Sequence, residues 1–179
     1  MVRLVLFFLL ALPLHLAAQF PFDTTFTAIL DSFDVRVNHP FGPRYKLLDA
    51  HENRYLNEQQ RVYSRDEKLE LRFFVFAEDS TEHFFGLPHV RAGHLLANLA
   101  SNDEDAQTTV LSPDTEELEI LNADWAKVYL FRPKRSFSEH KRAQLVASYK
   151  EGRGMLYTIL LFDRLPEDLL GRQYALRWR

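Results

Sequence analysis

Asn122, Ala123, Asp124 and Trp125 place an amide, a carboxylate and an indole side by side. An indole ring offers broad contact area to a ligand, and a neighbouring carboxylate can fix the ligand's orientation. The same residues also have a structural use. Asn and Asp bond local backbone groups and shape a turn, while Trp125 fills the core beneath. Glu70 and Arg72 are two apart, so on a strand they share a face. There they pair with charges on neighbouring strands, or Arg72 holds an anion through its two-pronged guanidinium. Arg72, Asp124 and Trp125 are the candidate ligand-binding residues.

Other chemistry-bearing residues are spaced less favourably. His89 and His94 are five apart and diverge by about 140° on a helix, whereas helical metal ligands sit three or four apart. His83 precedes them in a loop. His51-Glu52-Asn53-Arg54 lacks the second His of a zincin. Asp103-Glu104-Asp105 lacks the alternating ligands and central Gly of a calcium loop. No cofactor and no metal site is expected. Arg132, Lys134, Arg135, Lys141 and Arg142 gather charge around Phe131 and Phe137, suited to an anionic polymer or an acidic partner face, or to a solvated loop. Ser138 and His140 are close in sequence, but catalytic pairs are recognised in space. The chain has no Cys, no Gly-flanked nucleophile and no phosphate-cradling Gly loop.

Several elements must position these residues. Asp23 to Phe33 predicts a helix capped by Asp23, with Phe26, Ile29, Leu30 and Phe33 on one face. Phe33, Val35 and Val37 then alternate as a strand. Tyr45 to Leu48, Arg61 to Ser64 and Leu69 to Ala77 follow as strands, the last two joined by Arg65-Asp66-Glu67. Leu69, Leu71, Phe73 and Val75 line one face of the last strand, and Glu70 and Arg72 begin the other. Leu87 to Ala100 predicts a second helix. Asn102 to Thr109 is polar and acidic, and Ser112-Pro113-Asp114 opens a helical turn through Leu121. Trp125 to Phe131, Ala143 to Tyr149 and Met155 to Phe162 are strands, the last pair linked by a Gly-bearing hairpin. Pro166 starts a final short helix. Strands apolar on both faces demand cover on both faces. The expectation is an α+β fold, a mainly antiparallel sheet of about six strands with helices on both sides.

At the N-terminus, Met1 to Arg3 is positive, Leu4 to Leu12 is apolar, and Ala17-Ala18 is small. That order predicts a signal peptide over 1–18 and one domain over 19–179. The run is about half the length of a membrane span, so no transmembrane anchor is expected after processing. Without cysteine the chain forms no disulfide and carries no thiol-linked lipid. A formal charge of −3 gives no electrostatic footprint for nucleic acid.

Tyr45-Lys46, Glu70-Leu71-Arg72-Phe73, Asn122-Ala123-Asp124-Trp125, Leu145-Val146-Ala147, Leu161-Phe162-Asp163 and Ala175-Leu176-Arg177-Trp178 occur in this order. In these segments the chain resembles a group of exported bacterial proteins of uncharacterised function with a PsbP-like sandwich. Ala126 stands where that group carries Gly. The resemblance implies a fold and a periplasmic or extracellular location, and no reaction. The functional expectation is a non-catalytic binding or assembly module of the cell envelope, with an envelope protein or small ligand as partner. The alternative is a small extracytoplasmic hydrolase in which a carboxylate such as Asp124 works with a distant His.

Overall fold

The segment Gly154–Phe162 is buried at every position. A strand with no exposed face lies centrally, between two cores, and the rest of the fold is arranged around it. The computed structural model describes residues 22–38, 44–50 and 58–179, together with Phe20, Phe41 and Leu56. The segment read as a signal peptide, and His51 to Arg54, lie outside the described residues.

In chain order the elements are α1 (Thr24–Ser32), β1 (Val35–Val37), β2 (Tyr45–Leu48), β3 (Gln60–Ser64), β4 (Leu69–Ala77) and α2 (Pro88–Leu99). There follow β5 (Thr109–Leu111), α3 (Thr115–Leu121), β6 (Trp125–Phe131), β7 (Arg142–Lys150), β8 (Gly154–Phe162), α4 (Leu169–Gln173) and β9 (Leu176–Trp178). The protein is α+β. Seven strands form one sheet in the order β2-β3-β4-β8-β7-β6-β5, with every neighbouring pair antiparallel.

Two expectations need correction. The sheet has seven strands rather than six, because β5 joins it. Val35–Val37 does not belong to it: β1 pairs instead with β9 as a separate two-stranded ribbon. The cause is local. Asp34 adopts a left-handed backbone at φ 58°, which breaks the alternation between Phe33 and Val35.

Side chains alternate along each strand, and the two sets fill different cores. Leu71, Phe73, Val75, Leu156, Leu160 and Phe162 join Phe26 and Leu30 of α1 and Trp178 of β9. Phe74, Leu145, Ala147, Tyr157, Ile159 and Leu161 join Ala92, Leu95 and Leu99 of α2. Phe73, Leu145, Ile159 and Leu161 are fully buried and Val75 nearly so, as the apolar pattern requires.

Helix ends follow their caps. Asp23 accepts a bond from the Thr25 N–H at 2.8 Å. Asp114 and Glu117 form a capping box at α3, so that helix starts at Thr115. The β7–β8 hairpin turns through 151–153, with Gly152 at φ 72°. Gly154 cannot be replaced without rearrangement: a Cβ there would lie 2.0 Å from the Phe76 carbonyl oxygen.

Candidate functional site

The structure does not bring the three candidate residues together. Trp125 pairs with Tyr149, Tyr149 with Met155, and Met155 with Phe76. Arg72 lies four residues before Phe76 on β4. The separation is about 13 Å along the strands and about 14 Å across them.

Asp124 sits at the entry to β6 and locks the hairpin beside it. Its N–H donates to the Tyr149 carbonyl at 2.9 Å. Its carboxylate accepts the Glu151 N–H at 2.8 Å and the Lys150 ammonium at 3.1 Å. The Glu151 N–H bond, and to a smaller extent Lys150, hold the Asp124 carboxyl below the usual carboxylate range. Glu78 grips the same turn from the other side, accepting the Tyr149 hydroxyl and, at 2.6 Å, the Gly152 N–H. Asn122 caps α3 in a left-handed conformation and donates to the Arg179 carbonyl at 2.7 Å. Trp125 is half-buried and packs at the margin of the α2-side core. The Asn122 and Asp124 side chains are thus both engaged in shaping the turn.

Arg72 is buried, on the face that carries α2. Its Nε donates to Glu70 at 2.7 Å, and one terminal nitrogen donates to Glu58 at 2.5 Å and to the Phe137 carbonyl at 3.3 Å. Its guanidinium lies 4.7 Å from the Phe137 ring centroid. Arg61, opposite Arg72 in the β3–β4 register, bridges Glu70 at 3.0 Å and Glu58 at 3.3 Å. Two carboxylates and two guanidiniums thus balance each other beneath the connection between β6 and β7. His140 stands at the edge of this network, 4.0 Å from Glu70 and 3.6 Å from Asp163. The Asp163 carboxyl is held low by the Lys141 N–H it accepts, with His140 contributing less.

The basic run from Arg132 to Arg142 is divided by the fold into separate tasks. Lys134 reaches the end of α2 and donates to the Ala97 and Asn98 carbonyls at 2.9 and 3.0 Å, satisfying groups that a helix terminus leaves free. Arg132 pairs with Asp103 at 3.1 Å and Asp105 at 2.5 Å. Lys141 and Arg142 are exposed, and their side chains have no ion-pair partner among the described residues.

Those two cations overlook a cleft of about 630 Å³ at the end of the sheet where β6 finishes and β7 begins. Leu130, Phe131, Phe162 and the 62% exposed Leu165 give it an apolar floor. Arg132 forms part of the rim, and its buried Nε has no hydrogen-bond acceptor among the described residues. The volume is that of a small-molecule site. Its chemistry suits a ligand with a negative head and an apolar body. Lys141 and Arg142 carried a visible charge signal; the floor, drawn from two strands and a loop, carried none.

His83, His89 and His94 are all exposed, and Phe84 contacts the rings of His83 and His94. Among the described residues no group of three His, Asp or Glu side chains is placed to hold a metal ion. No helix among them is long and apolar enough to cross a membrane. No protein-family model matches the chain, and no curated protein is significantly similar to it.

Proposed function

We propose that this protein is an exported binding module of the cell envelope that takes an anionic group with an apolar body in the cleft beneath Lys141 and Arg142. The observation that carries the reading is the pairing of two exposed cations, without an ion-pair partner among the described residues, with an apolar floor on which Leu165 is exposed. Elsewhere the charges are largely spent on each other, as in the Glu58, Arg61, Glu70 and Arg72 network. The hydrolase alternative is less well supported, because the Asp124 carboxylate meets Lys150 and a backbone N–H rather than a His. Export rests on the N-terminal charge, apolar and small-residue pattern. The PsbP-like sandwich, with α1 and α2 on opposite sides of the sheet, rests on the ordered segments and the two separate cores.

Export predicts a mature N-terminus near Gln19. N-terminal sequencing of protein recovered outside the cytoplasm checks it, and an intact Met1 on that material would overturn it.

The cleft is tested with decanoate and, as the neutral control, decanol. Decanoate should shift the amide resonances around Leu130 and Arg142, and decanol should bind at least about tenfold more weakly, since a charge-assisted contact contributes on the order of 1.5–3 kcal/mol. The double variant Lys141→Glu, Arg142→Glu should lose the preference while keeping the fold, because both side chains are exposed. Equal binding of the two probes, or an unaltered preference in the double variant, would remove the cleft from consideration.

A further inference from the structure

We infer that β5 is a docking edge for an extended segment of a partner protein, apolar in its middle and basic at its ends, which adds antiparallel as an eighth strand. This goes beyond the cleft reading and does not depend on it.

Strand β5 ends the sheet. It pairs with β6 on one side, and among the described residues no strand covers the other. The backbone of 107–112 makes no hydrogen bond outside the β5–β6 ladder among those residues. Alternate N–H and C=O groups therefore face outward, the template that strand addition uses. Thr109, Val110 and Leu111 are all exposed, Val110 at 54% and Leu111 at 50%. Thr109 and Leu111 stand on one face of the sheet and Val110 on the other, so an added strand finds an apolar contact on each face. The platform beneath is firm, because Val128, Tyr129 and Phe131 of β6 are buried.

Charge selects the occupant. The loop 103–105 before β5 is acidic throughout, and the first turn of α3 after it holds Glu116 and Glu117. Arg132 offsets only Asp103 and Asp105. Glu104 and Glu116 are exposed, without an ion pair among the described residues. A second copy is a poor occupant. Two-fold antiparallel pairing centred on Val110 brings the acidic 103–105 loop of each chain toward the acidic start of the other's α3, and like charges brought together repel. The Lys127 ammonium on the Ser112 hydroxyl offsets part of the acidity after β5, yet Asp114, Glu116 and Glu117 outnumber it, so a segment with Lys or Arg at both ends meets a net opposite charge at each.

The probe is a synthetic peptide of alternating Thr and Val between paired lysines, titrated onto the full protein at low salt. It should perturb and protect the amides of 107–112, and the same peptide with glutamates for lysines should bind at least about tenfold more weakly. Two N-methylated versions, each blocking one alternate set of peptide N–H groups, separate strand addition from charge attraction. One set should abolish binding and the other should leave it nearly intact. Val110→Pro should lose the peptide while retaining the near-ultraviolet spectrum of the fold. Equal binding of both N-methylated peptides, equal binding of the glutamate peptide, or self-association that Val110→Pro abolishes would each overturn the proposal. The 105–109 segment also lines the cleft, so the two readings are told apart by variants: Val110→Pro, outside the cleft lining, should lose the peptide and keep the decanoate preference, whereas Lys141→Glu with Arg142→Glu should do the reverse.

Discussion

Arg72→Met should destabilise the protein by about 3–5 kcal/mol, the range for removing one partner from a buried ion pair. Arg72 is 6% exposed, and the Glu58 side chain it contacts is fully buried. Their mutual attraction offsets the desolvation of both, so removal takes away a buried guanidinium that both carboxylates contact. For a domain near 160 residues this lowers Tm by roughly 6–20 °C. Thermal and urea unfolding of the purified variant measure it. The companion Glu58→Met is equally harmful alone, but the double variant should recover part of the loss, because an apolar pair no longer strands a charge. A change within about 0.5 kcal/mol for Arg72→Met, the level of an ordinary surface substitution, would show that the network is dispensable. The outcome also bears on function. Arg72 contacts the Phe137 carbonyl and ring, so its loss should also loosen the loop above it.

The sequence already pointed to this in part. The alternation of Leu69, Leu71, Phe73 and Val75 against Glu70 and Arg72 identifies a strand with one apolar and one charged face, and cross-strand pairing of the charges follows from it. The partner Glu58 was hidden, because it lies in a polar stretch without periodicity and meets Arg72 only through the β3–β4 register. Similar reasons hid β5 and β9. Each is three residues long, too short for a period to declare itself. β9 finds its partner β1 some 140 positions away, and such pairings leave no local trace. The two tryptophans divide the same way. Trp125, at the start of a strand, is only half-buried, whereas Trp178 near the chain end is 1% exposed. Its burial follows from the β1–β9 ribbon, which local pattern could not supply. The basic run is a third case. Charge density in sequence is real, yet backbone direction at each position sends Lys134 to a helix end, Arg132 to an acidic loop, and Lys141 and Arg142 to a cleft. Density alone does not distinguish these fates.

Raising the pH from about 10 to 12 should remove roughly 5 kcal/mol of stability, enough to unfold a domain of ordinary stability. While burial also raises Tyr129 and Tyr174, the largest contributors are Tyr45 and Tyr157, both buried. Burial is the main cause that raises each hydroxyl's pKa far above the ordinary value near 10, with Arg172 opposing it at Tyr45 and Arg91 at Tyr157. Tyr45 also donates to Glu67, which further disfavours the phenolate. The sign follows from proton counts. Above pH 10 the unfolded chain releases these protons and the folded chain keeps them, so the unfolded state gains as pH rises. Each such tyrosine costs about 1.4 kcal/mol per pH unit in this window, and below pH 10 the effect vanishes. Tyr149 behaves alike up to about 12, through burial and its bond to Glu78, but its partial exposure makes its share smaller. Urea midpoints at a series of pH values, read beside tyrosinate absorbance, give the slope. Tyr157→Phe should flatten that slope by about one tyrosine's worth, because it deletes the titrating hydroxyl and keeps the ring edge-on to Phe76 at 5.8 Å. If tyrosinate absorbance rises across pH 10–11 while the urea midpoint stays fixed, the two rings are open to solvent and the packing assigned to β2 and β8 is wrong.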